Sequence, residues 1–596
     1  MSKSPQHIPP VSPLKACFIL VVVGIAVYAN GLNGPFVFDD IDQILENTSI
    51  RTIWPPTWFT QAHSPTMGIH GRVFTSLTLA LNHHFGGTEV TGYHVVNLFI
   101  HILASVGLFC SVQLLLQSKR LSKQYANFSD KLALAIALIW LVHPLQTECV
   151  NYVLQRSESI MGLCYLITLY SAIRSINEPR YQVWWLAAIV FCTLGMLSKE
   201  VMVSAPIMVI LADRSFYFET FQQAFQRRWK FYVGLASTWV ILAWALWHKP
   251  HGNTIGFISS ITPWDYAKNQ CHMLLTYLKL SVWPHPLLLD YGTPSPGLAL
   301  LDIAPAGIIV LALLIGTGMA LKYNSLIGFI GAWFFLILAP TSSFIPITTE
   351  VGAERRMYLP LAAIIALLVI LGHRAAQHVL QNYLSHNLSP FLRRWIGLIF
   401  ACCIVCGLAA RSMKRNQDYQ SKETIWQTVV THAPQNARGW NNLGHVWTQR
   451  NHMAKSLSFF EQAIILKPDY VQAHYNICQA LIELERPQDA LEHLSQATTL
   501  DPTGTQYQET LPKVYNNLGI AFLQAENLQL AIVHFEKVIA LRPDHYRAHN
   551  NLGVVFLRTT QYQKARQQFQ EALRIKPTYS DAEVNLTLTQ ELIQPQ

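Results

Sequence analysis

The chain has 596 residues, of which 51% are hydrophobic and only 13% are charged. Soluble proteins carry about 25% charged residues, so this composition excludes a disordered, collagen-like or disulfide-scaffold chain and argues against a wholly soluble enzyme. The net charge of +9 lies in residues 1–411, because residues 412–596 contain 17 basic and 17 acidic side chains. We therefore predict an all-α protein with a multi-pass membrane domain over 1–411 and a water-soluble domain over 412–596.

Apolar runs of membrane length recur through the first domain. We predict about eleven spans, near 14–30, 94–116, 131–143, 159–173, 182–197, 201–212, 231–247, 304–321, 325–340, 357–372 and 395–411. Several are shorter than the roughly 20 residues that a crossing needs, so we expect them to extend into polar flanks or to be tilted. The stretch 269–283 is apolar but contains Lys279, and we predict an interfacial or re-entrant segment there.

The charged residues between these spans indicate the topology. Lys and Arg gather in short loops on one side, which the positive-inside rule assigns to the cytoplasm together with the N-terminus. Carboxylates gather in the loops on the other side. The excess of basic residues is explained by this topology, and we expect no nucleic-acid partner.

An acidic pair opens the first outer loop, about 31–93. Asp39 and Asp40 follow the first span directly after a Gly/Pro turn and an apolar strip. Adjacent carboxylates at a membrane edge have a raised pKa, which suits a general base that acts on a hydroxyl group. The alternative interpretation is a helix cap or a solvated pair of loop residues.

Three further charged clusters lie on the same predicted side of the membrane. Their members are His143, Glu148 and Arg156 in one loop, Lys199 and Glu200 in the next, and Glu354, Arg355 and Tyr358 before the tenth span. Arg and Lys at a membrane boundary can hold a phosphate or pyrophosphate, and Arg can do so with two hydrogen bonds. The alternative is a set of snorkelling anchors or interhelical salt bridges. His143 by itself is more typical of a structural residue than of a metal ligand.

The second domain repeats with a period of 34 residues. Equivalent asparagines recur at Asn442, Asn476, Asn517, Asn551 and Asn585, and equivalent prolines at Pro434, Pro468, Pro502, Pro543 and Pro577. This is the tetratricopeptide pattern, with two helices in each repeat and a proline after the second. We predict about four full repeats, a capping helix over 418–434, and a loop around 503–511 where seven extra residues enter.

Stacked helix pairs of this kind form a superhelix whose concave face binds extended peptide. The alternative roles for such an array are a rigid spacer or a dimerisation module. Eleven spans place the two ends of the chain on opposite sides, so we predict a periplasmic or lumenal repeat domain. The compact loops and the number of repeats favour a bacterial inner membrane over an endoplasmic reticulum.

Together these motifs resemble the transmembrane and tetratricopeptide-repeat O-mannosyltransferases, a family with the C-type glycosyltransferase fold. The matching stretches are NGPFVFDD at 33–40, GRVFTSLTLALNHHFGG at 71–87, GYHVVNLFIH at 92–101, HPLQTECVNYVLQRSES at 143–159, LSKE at 197–200 and AERRMYLP at 353–360. The resemblance covers nearly the whole chain, including the order of its two halves.

The resemblance implies an integral-membrane glycosyltransferase that uses a polyprenyl-phosphate sugar, plausibly mannose, as donor substrate. The family's acidic pair matches Asp39 and Asp40, one of which would be the base that deprotonates a Ser/Thr hydroxyl of an acceptor protein bound by the repeats. By position we expect Arg156, Lys199 and Arg355 to bind the donor phosphate. We expect supporting roles for the residues His143, Glu148, Glu200, Glu354 and Tyr358. The partners are then the lipid-linked sugar, the acceptor protein and membrane lipids, and the need for a divalent metal stays open.

Two other functions are compatible with the same residues. The enzyme can instead glycosylate a lipid, a glycan or a pilin-like polymer, because this chain has fewer repeats than many members of the family. A non-enzymatic scaffold that recruits partners through its repeats is the second alternative. A transporter is disfavoured because the hydropathy pattern shows no internal symmetry.

Overall fold

The structure is a computed structural model that describes residues 12–56, 72–178, 180–247, 261–382, 390–502 and 511–593. These residues are mostly helical and include no β-strand, so the predicted all-α class is confirmed. Two compact units divide between His432 and Ala433.

The first unit contains fifteen helices of ten residues or more among its described residues. They are α1 Pro13–Tyr28, α2 Val73–Gly86, α3 Val90–Leu116, α4 Ser129–Val142, α5 Arg156–Asn177, α6 Tyr181–Met196, α7 Ala205–Phe216, α8 Phe221–Ala236, α9 Thr238–Trp247, α10 Pro263–Val282, α11 Leu300–Tyr323, α12 Ser325–Leu338, α13 Pro360–Asn382, α14 Pro390–Asp418 and α15 Lys422–His432. Short helical turns lie between them at Ala29–Gly31, Ile41–Leu45, Thr48–Arg51, Ser122–Tyr125, Ala126–Phe128, Pro144–Gln146, Thr147–Asn151, Val153–Gln155, Glu200–Ser204 and Glu354–Met357.

Within the part of the chain that the structure describes, eight helical segments are long and apolar enough to cross a membrane. They are Pro13–Gly31, Val90–Leu116, Ser122–Val142, Val153–Ile176, Phe221–Trp247, Leu300–Tyr323, Pro360–Val379 and Gly397–Asp418. Tyr181–Met196 and Ser325–Leu338 are shorter apolar helices. The first unit is thus a multi-pass membrane domain, whereas the count of eleven spans and the topology remain predictions. The stretch predicted to be interfacial, 269–283, lies almost entirely within α10.

A buried aromatic cluster of His101, Trp140 and Tyr358 connects three segments of the first unit. The Tyr358 hydroxyl lies 3.0 Å from Nδ1 of His101, and His101 Nε2 donates to the Leu141 carbonyl at 3.1 Å. The indole N–H of Trp140 donates to the Tyr358 carbonyl at 2.8 Å. These bonds satisfy the polar atoms inside an apolar core, where each unpaired group would be costly. They join α3 and α4 to the start of α13.

The second unit is a series of antiparallel helix pairs. Its described helices are α16 Ala437–Gln449, α17 Met453–Leu466, α18 Val471–Glu483, α19 Pro487–Leu500, α20 Leu511–Gln524, α21 Leu528–Leu541, α22 Tyr546–Arg558, α23 Tyr562–Ile575 and α24 Ser580–Ile593. The predicted repeats are therefore confirmed. The predicted loop around 503–511 lies outside the described residues, apart from Leu511.

Two packing contacts recur among the helix pairs of this unit. The Phe460 ring lies against Gly444, and Phe535 and Phe569 lie in the same way against Gly519 and Gly553. Because glycine has no Cβ, the phenylalanine ring can approach the helix backbone closely.

The second contact involves the proline that precedes the pair. The ring N–H of Trp440 donates to the Pro434 carbonyl at 2.8 Å, and His474 bonds the Pro468 carbonyl in the same way at 2.9 Å. An aromatic ring nitrogen at one fixed position thus closes the turn before the helix.

The predicted boundary at 411/412 falls inside α14, which continues to Asp418. The predicted cap is α15, which begins at Lys422 and groups with the first unit. Trp426 of α15 packs edge-on against Phe38, with ring centroids 5.4 Å apart. This contact gives the helix a partner in the first outer loop.

Candidate active site

Asp40 ties the first outer loop to the segment before α5. Its carboxylate accepts hydrogen bonds from the backbone N–H groups of Val37 at 3.1 Å, Leu154 at 2.8 Å and Val153 at 3.4 Å. The turn that returns the chain to Val37 includes Phe38 with a φ of 49°, in the left-handed region. Burial raises the pKa of Asp40 to about 8, although the three N–H groups oppose this shift.

Asp39 is half-buried, whereas Asp40 is fully buried. The backbone N–H of Asp39 donates to the hydroxyl oxygen of Tyr152 at 3.2 Å. Burial and the negative charges of Asp39 and Asp40 raise the pKa of the Tyr152 phenol well above its ordinary value, and Arg355 opposes them. Tyr152 is therefore close to both the acidic pair and Arg355, which are far apart in the sequence.

Arg355 is held by two carboxylates and retains partial exposure. Glu148 accepts hydrogen bonds from both the backbone N–H and Nη1 of Arg355, each at 2.7 Å, and Glu350 accepts one from Nη2. The Arg355 side chain is 15% exposed. Burial acts to lower the pKa of Arg355, but Glu350 and Glu148 outweigh it and raise the pKa. The guanidinium therefore keeps its positive charge at this partly open position.

Glu350 also binds the neighbouring Arg356 through an ion pair of 3.0 Å. Burial acts to raise the pKa of Glu350, but Arg355 and Arg356 outweigh it and lower the pKa to about 2. Glu350 is therefore a carboxylate at every physiological pH. Its charge compensates the two adjacent arginines.

Glu354 binds residues other than the three candidate phosphate-binding cations. It accepts hydrogen bonds from the Leu288 N–H and the Tyr291 hydroxyl, and Arg415 of α14 lies 3.7 Å away. Burial raises the pKa of Glu354 to about 8, and the positive charge of Arg415 opposes the shift. Glu354 thus binds the 288–291 segment and α14, while Glu148 orients Arg355.

Arg156 is completely buried and is bound by α2 and α3. Its Nε donates to Asn97 at 2.7 Å, and its Nη1 donates to Asn82 at 2.5 Å and to the Thr78 carbonyl at 3.2 Å. Its Nη2 donates to the Tyr93 carbonyl at 3.0 Å. A guanidinium has five N–H donors, so four are already used by protein acceptors. This geometry leaves little capacity for the predicted phosphate contact.

Lys199 and Glu200 belong to a second group of charges. Lys199 Nζ pairs with Glu158 at the start of α5, and both side chains are nearly buried. Glu200 lies 3.8 Å from Arg72, which also donates to Ser157 at 3.4 Å. Arg72 is 18% exposed, and its Nε has no partner among the described residues. Of the two basic residues in this group, Arg72 is the more exposed, since the Lys199 side chain is only 9% exposed.

The two groups of charges adjoin one another. Burial raises the pKa of the Cys149 thiol well above its ordinary value, and the charges of Glu158, Glu148, Lys199 and Arg355 act on the same thiol. Members of both groups are thus close enough to Cys149 to influence it. The loops after α1, α4, α6 and α12 converge on one region, although they are distant in the sequence.

His143, like Tyr358, makes hydrogen bonds with buried structural groups. His143 Nε2 donates to the Ser281 carbonyl at 3.2 Å, and its Nδ1 accepts from the Leu145 N–H at 3.3 Å. Both nitrogens are used, and the two bonds require the neutral ring. Among the described residues, no group of three or more His, Cys, Asp or Glu side chains is arranged to hold a metal ion.

Sequence reasoning missed four residues of this region. They are Arg72, Tyr152, Glu350 and Arg415. Arg72 and Tyr152 lie inside the stretches that resemble the family, at 71–87 and 143–159, so the resemblance could have pointed to them. Glu350 and Arg415 have no such signal, because only the fold brings them to Arg355 and Glu354.

Family models match both parts of the chain. Residues 86–247 match the family described as dolichyl-phosphate-mannose-protein mannosyltransferase. Residues 448–511 and 516–580 match tetratricopeptide-repeat models. The predicted resemblance, a mannosyltransferase segment followed by tetratricopeptide repeats, is thereby confirmed.

Curated relatives show the same order of parts. The chain is 24% identical over 608 residues to protein O-mannosyl-transferase Tmtc3 of Drosophila melanogaster, covering 89% of this chain and 64% of the relative. It is 24% identical to human protein O-mannosyl-transferase TMTC3, covering 90% and 61%. It is 29% identical over 219 residues to human TMTC4, covering 33% and 29%.

The chain spans about three fifths of the length of the first two relatives. All three come from animals, so they give no support to the predicted bacterial inner membrane.

Proposed function

We propose that this chain is an integral-membrane glycosyltransferase that moves a sugar from a polyprenyl-phosphate carrier to Ser/Thr hydroxyls of a protein. The observation that carries the proposal is that the acidic pair, Asp39 and Asp40, and the partly exposed Arg355 all act on Tyr152, whose hydroxyl oxygen accepts the Asp39 N–H. The similarity to protein O-mannosyl-transferases supports mannose as the sugar. The repeat domain is the natural binding site for the acceptor polypeptide.

Asp39 is the better candidate for the general base. A base must reach the proton that it removes, and Asp39 is half-buried whereas the Asp40 carboxylate is enclosed by backbone donors. In the proposed reaction, Asp39 takes the proton of the acceptor hydroxyl as its oxygen bonds the anomeric carbon of the sugar. The bond from that carbon to the phosphate oxygen breaks, and the lipid phosphate leaves with the electron pair. Asp40 positions Asp39 by fixing the loop.

Arg355 and Arg72 are the residues best placed to bind the leaving phosphate. Both are partly exposed and cationic, and the growing charge on a leaving phosphate is stabilised by positive groups already in position. Arg156 and Lys199 remain in the proposal as contributors to the local field, because the Arg156 donors are engaged by protein groups and the nearly buried Lys199 is paired with Glu158. A weaker role for them follows from this geometry.

The test is a transfer assay with the purified full chain. The protein is reconstituted with a panel of polyprenyl-phosphate sugars and Ser/Thr-containing acceptor proteins, and the products are identified by mass spectrometry. We expect a hexose on Ser/Thr that is absent with Asp39→Asn. Asp42→Asn is the matched control, because Asp42 is an exposed carboxylate in the same loop.

Two outcomes would contradict the proposal. Sugar found on a lipid or glycan, with none on protein, would support the alternative acceptor class. Equal transfer by wild type and Asp39→Asn would remove the catalytic assignment. A scaffold without enzymatic activity predicts no transfer from any donor in the panel.

A further inference from the structure

A second cluster of charges lies at the other end of α5 from the candidate active site. Arg156 starts α5, whereas Ala172 and Ser175 near its end accept hydrogen bonds from Arg228 of α8. At 1.5 Å per residue, this part of α5 separates the two regions by about 25 Å, which is close to the thickness of a bilayer core. The second cluster therefore lies near the opposite surface of the membrane.

Three arginines, which we call the basic cluster, surround the turn between α7 and α8. Arg120 Nη2 donates to the Phe218 carbonyl at 2.8 Å. Arg214 lies over the Phe221 ring at 5.9 Å, and Arg227 lies over the Phe218 ring at 6.0 Å. Each guanidinium thus rests on the same short segment of chain.

The charges in this cluster are only partly compensated. Burial lowers the pKa of Arg120, the positive charge of Arg214 lowers it further, and the carboxylate of Glu219 opposes them. Arg120 and Arg214 therefore repel one another, and Glu219 is the carboxylate that acts on Arg120, while Arg227 brings a third guanidinium to the same segment of chain. An anion bound there would relieve the repulsion between the arginines.

A kink in α8 fixes the orientation of this cluster. Arg228 interrupts the helix with φ −130° and ψ 18°. Its buried guanidinium donates to Asp213 at 2.6 Å, to Ser175 at 2.5 Å and to the Ala172 carbonyl at 2.9 Å. These bonds fasten the kink to α5 and α7. The first turns of α8 are thereby set apart from the apolar part that follows.

The first half of α8 exposes a row of aromatic side chains, two before the kink at Arg228 and one directly after it. Phe221, Phe225 and Trp229 are 47%, 44% and 54% exposed, and their spacing of four residues places them on one face of the helix. Arg227 and Lys230 are exposed beside them. Aromatic residues with cations next to them are typical of the membrane–water interface at the end of a span.

We propose that the basic cluster binds the phosphate headgroup of an anionic membrane lipid. Phe221, Phe225 and Trp229 then lie at the boundary between the headgroups and the acyl chains. Charge complementarity selects an anion, because each Lys or Arg near an anionic membrane surface adds attraction. The aromatic row selects a lipid over a soluble phosphate, since it forms the beginning of the candidate span Phe221–Trp247.

The experiment measures lipid binding by the detergent-purified full chain. Native mass spectrometry gives the bound fraction for phosphatidylglycerol and phosphatidylcholine at equal concentrations, with inorganic phosphate as a competitor. The test variant is Arg120→Gln/Arg214→Gln/Arg227→Gln. One matched control replaces the same arginines with lysine. The other removes equal charge from the repeat surface with Arg542→Gln/Arg558→Gln/Arg566→Gln.

We expect the wild type to prefer phosphatidylglycerol, and the glutamine variant to bind it about tenfold more weakly. The lysine variant and the repeat-surface variant should keep the preference. Phe221→Ala/Trp229→Ala should weaken phosphatidylglycerol binding with all three arginines intact, which covers the case in which the glutamine variant fails to fold. Equal binding of the two lipids by the wild type would overturn the proposal. So would displacement of the lipid by equimolar inorganic phosphate, or equal binding by the wild type and a folded glutamine variant.

Discussion

The carboxylate of Asp40 accepts a hydrogen bond from the backbone N–H of Leu154 at 2.8 Å, across 114 positions of sequence. This bond links the first outer loop to the segment that carries Tyr152 and leads into α5. It joins the acidic pair to the residues that surround Arg355. The relative position of base and cation therefore depends on a residue whose own carboxylate is enclosed.

The two members of the acidic pair should respond differently to removal of charge. Asp39→Asn should lower the transfer rate by about 100-fold or more with little change in melting temperature, because it removes a general base from a half-buried position. Asp40→Asn should lower both the transfer rate and the melting temperature, because its new amide N–H groups face the backbone donors of Val37, Val153 and Leu154. Rates and melting temperatures of the purified variants provide the test. Identical profiles for the two variants would refute the division of roles.

The stability contributed by Asp40 should depend on pH. Its pKa is raised from an ordinary 3.8 to about 8, so the folded state favours the protonated form. The contribution is fully present below about pH 4 and is lost as the pH rises to about 8. Asn carries no proton to lose, so the melting temperature of the wild type relative to Asp40→Asn should fall from pH 5 to pH 8.5. A difference that stays constant or grows with pH would contradict the raised pKa.

Substitutions of Arg156 and Arg72 should have different effects. The first should lower the stability of the protein, and the second should weaken binding of the lipid-linked donor. Arg156→Gln breaks four buried hydrogen bonds and should destabilise the protein by about 3–5 kcal/mol. Arg72→Gln should barely change the melting temperature, because its ion pair is long and partly exposed, yet should raise the KM for the lipid-linked donor about tenfold. Arg72→Lys is the control that keeps the charge. An unchanged KM for Arg72→Gln would remove Arg72 from the phosphate site.

The contact between Gly444 and Phe460 should control the stability of the first helix pair in the second unit. A Cβ atom at Gly444 would lie 2.5 Å from the Phe460 ring, so Gly444→Cys should cost about 1–3 kcal/mol. The next repeat carries buried Cys478 and Leu494 at the equivalent positions. Gly444→Cys/Phe460→Leu should therefore recover most of the loss. Chemical unfolding of the wild type, Gly444→Cys, Phe460→Leu and the double variant gives the coupling free energy between the two positions. Strictly additive effects would argue against the contact.

The repeats and the helical class could be predicted from the sequence because they depend on local periodicity. The 34-residue period determines which residues pack against each other, as the contact between Gly444 and Phe460 illustrates. The candidate site could be predicted only in part. Asp39, Asp40 and Arg355 stand out as charges at the ends of apolar runs, and the structure brings them together around Tyr152.

Long-range partnerships account for what could not be predicted. The sequence presents Arg156 and Arg355 as equivalent cations beside spans, but Arg156 is enclosed by Asn82 and Asn97 while Arg355 stays partly open. Which cation is enclosed depends on the packing of α2 and α3 against α5. Glu354 and Arg415 likewise meet because α14 returns to the loop before α13.

The three donors to Asp40 are all main-chain N–H groups, which has a consequence for how sequences of this kind can diverge. The side chains of Val37, Val153 and Leu154 take no part in these bonds, so other apolar residues of similar size can replace them without moving the carboxylate. Proline is the exception, because it has no N–H to give. The position of the acidic pair can therefore be kept while the surrounding sequence changes extensively. What an intact site requires at positions 37, 153 and 154 is that none of them is proline.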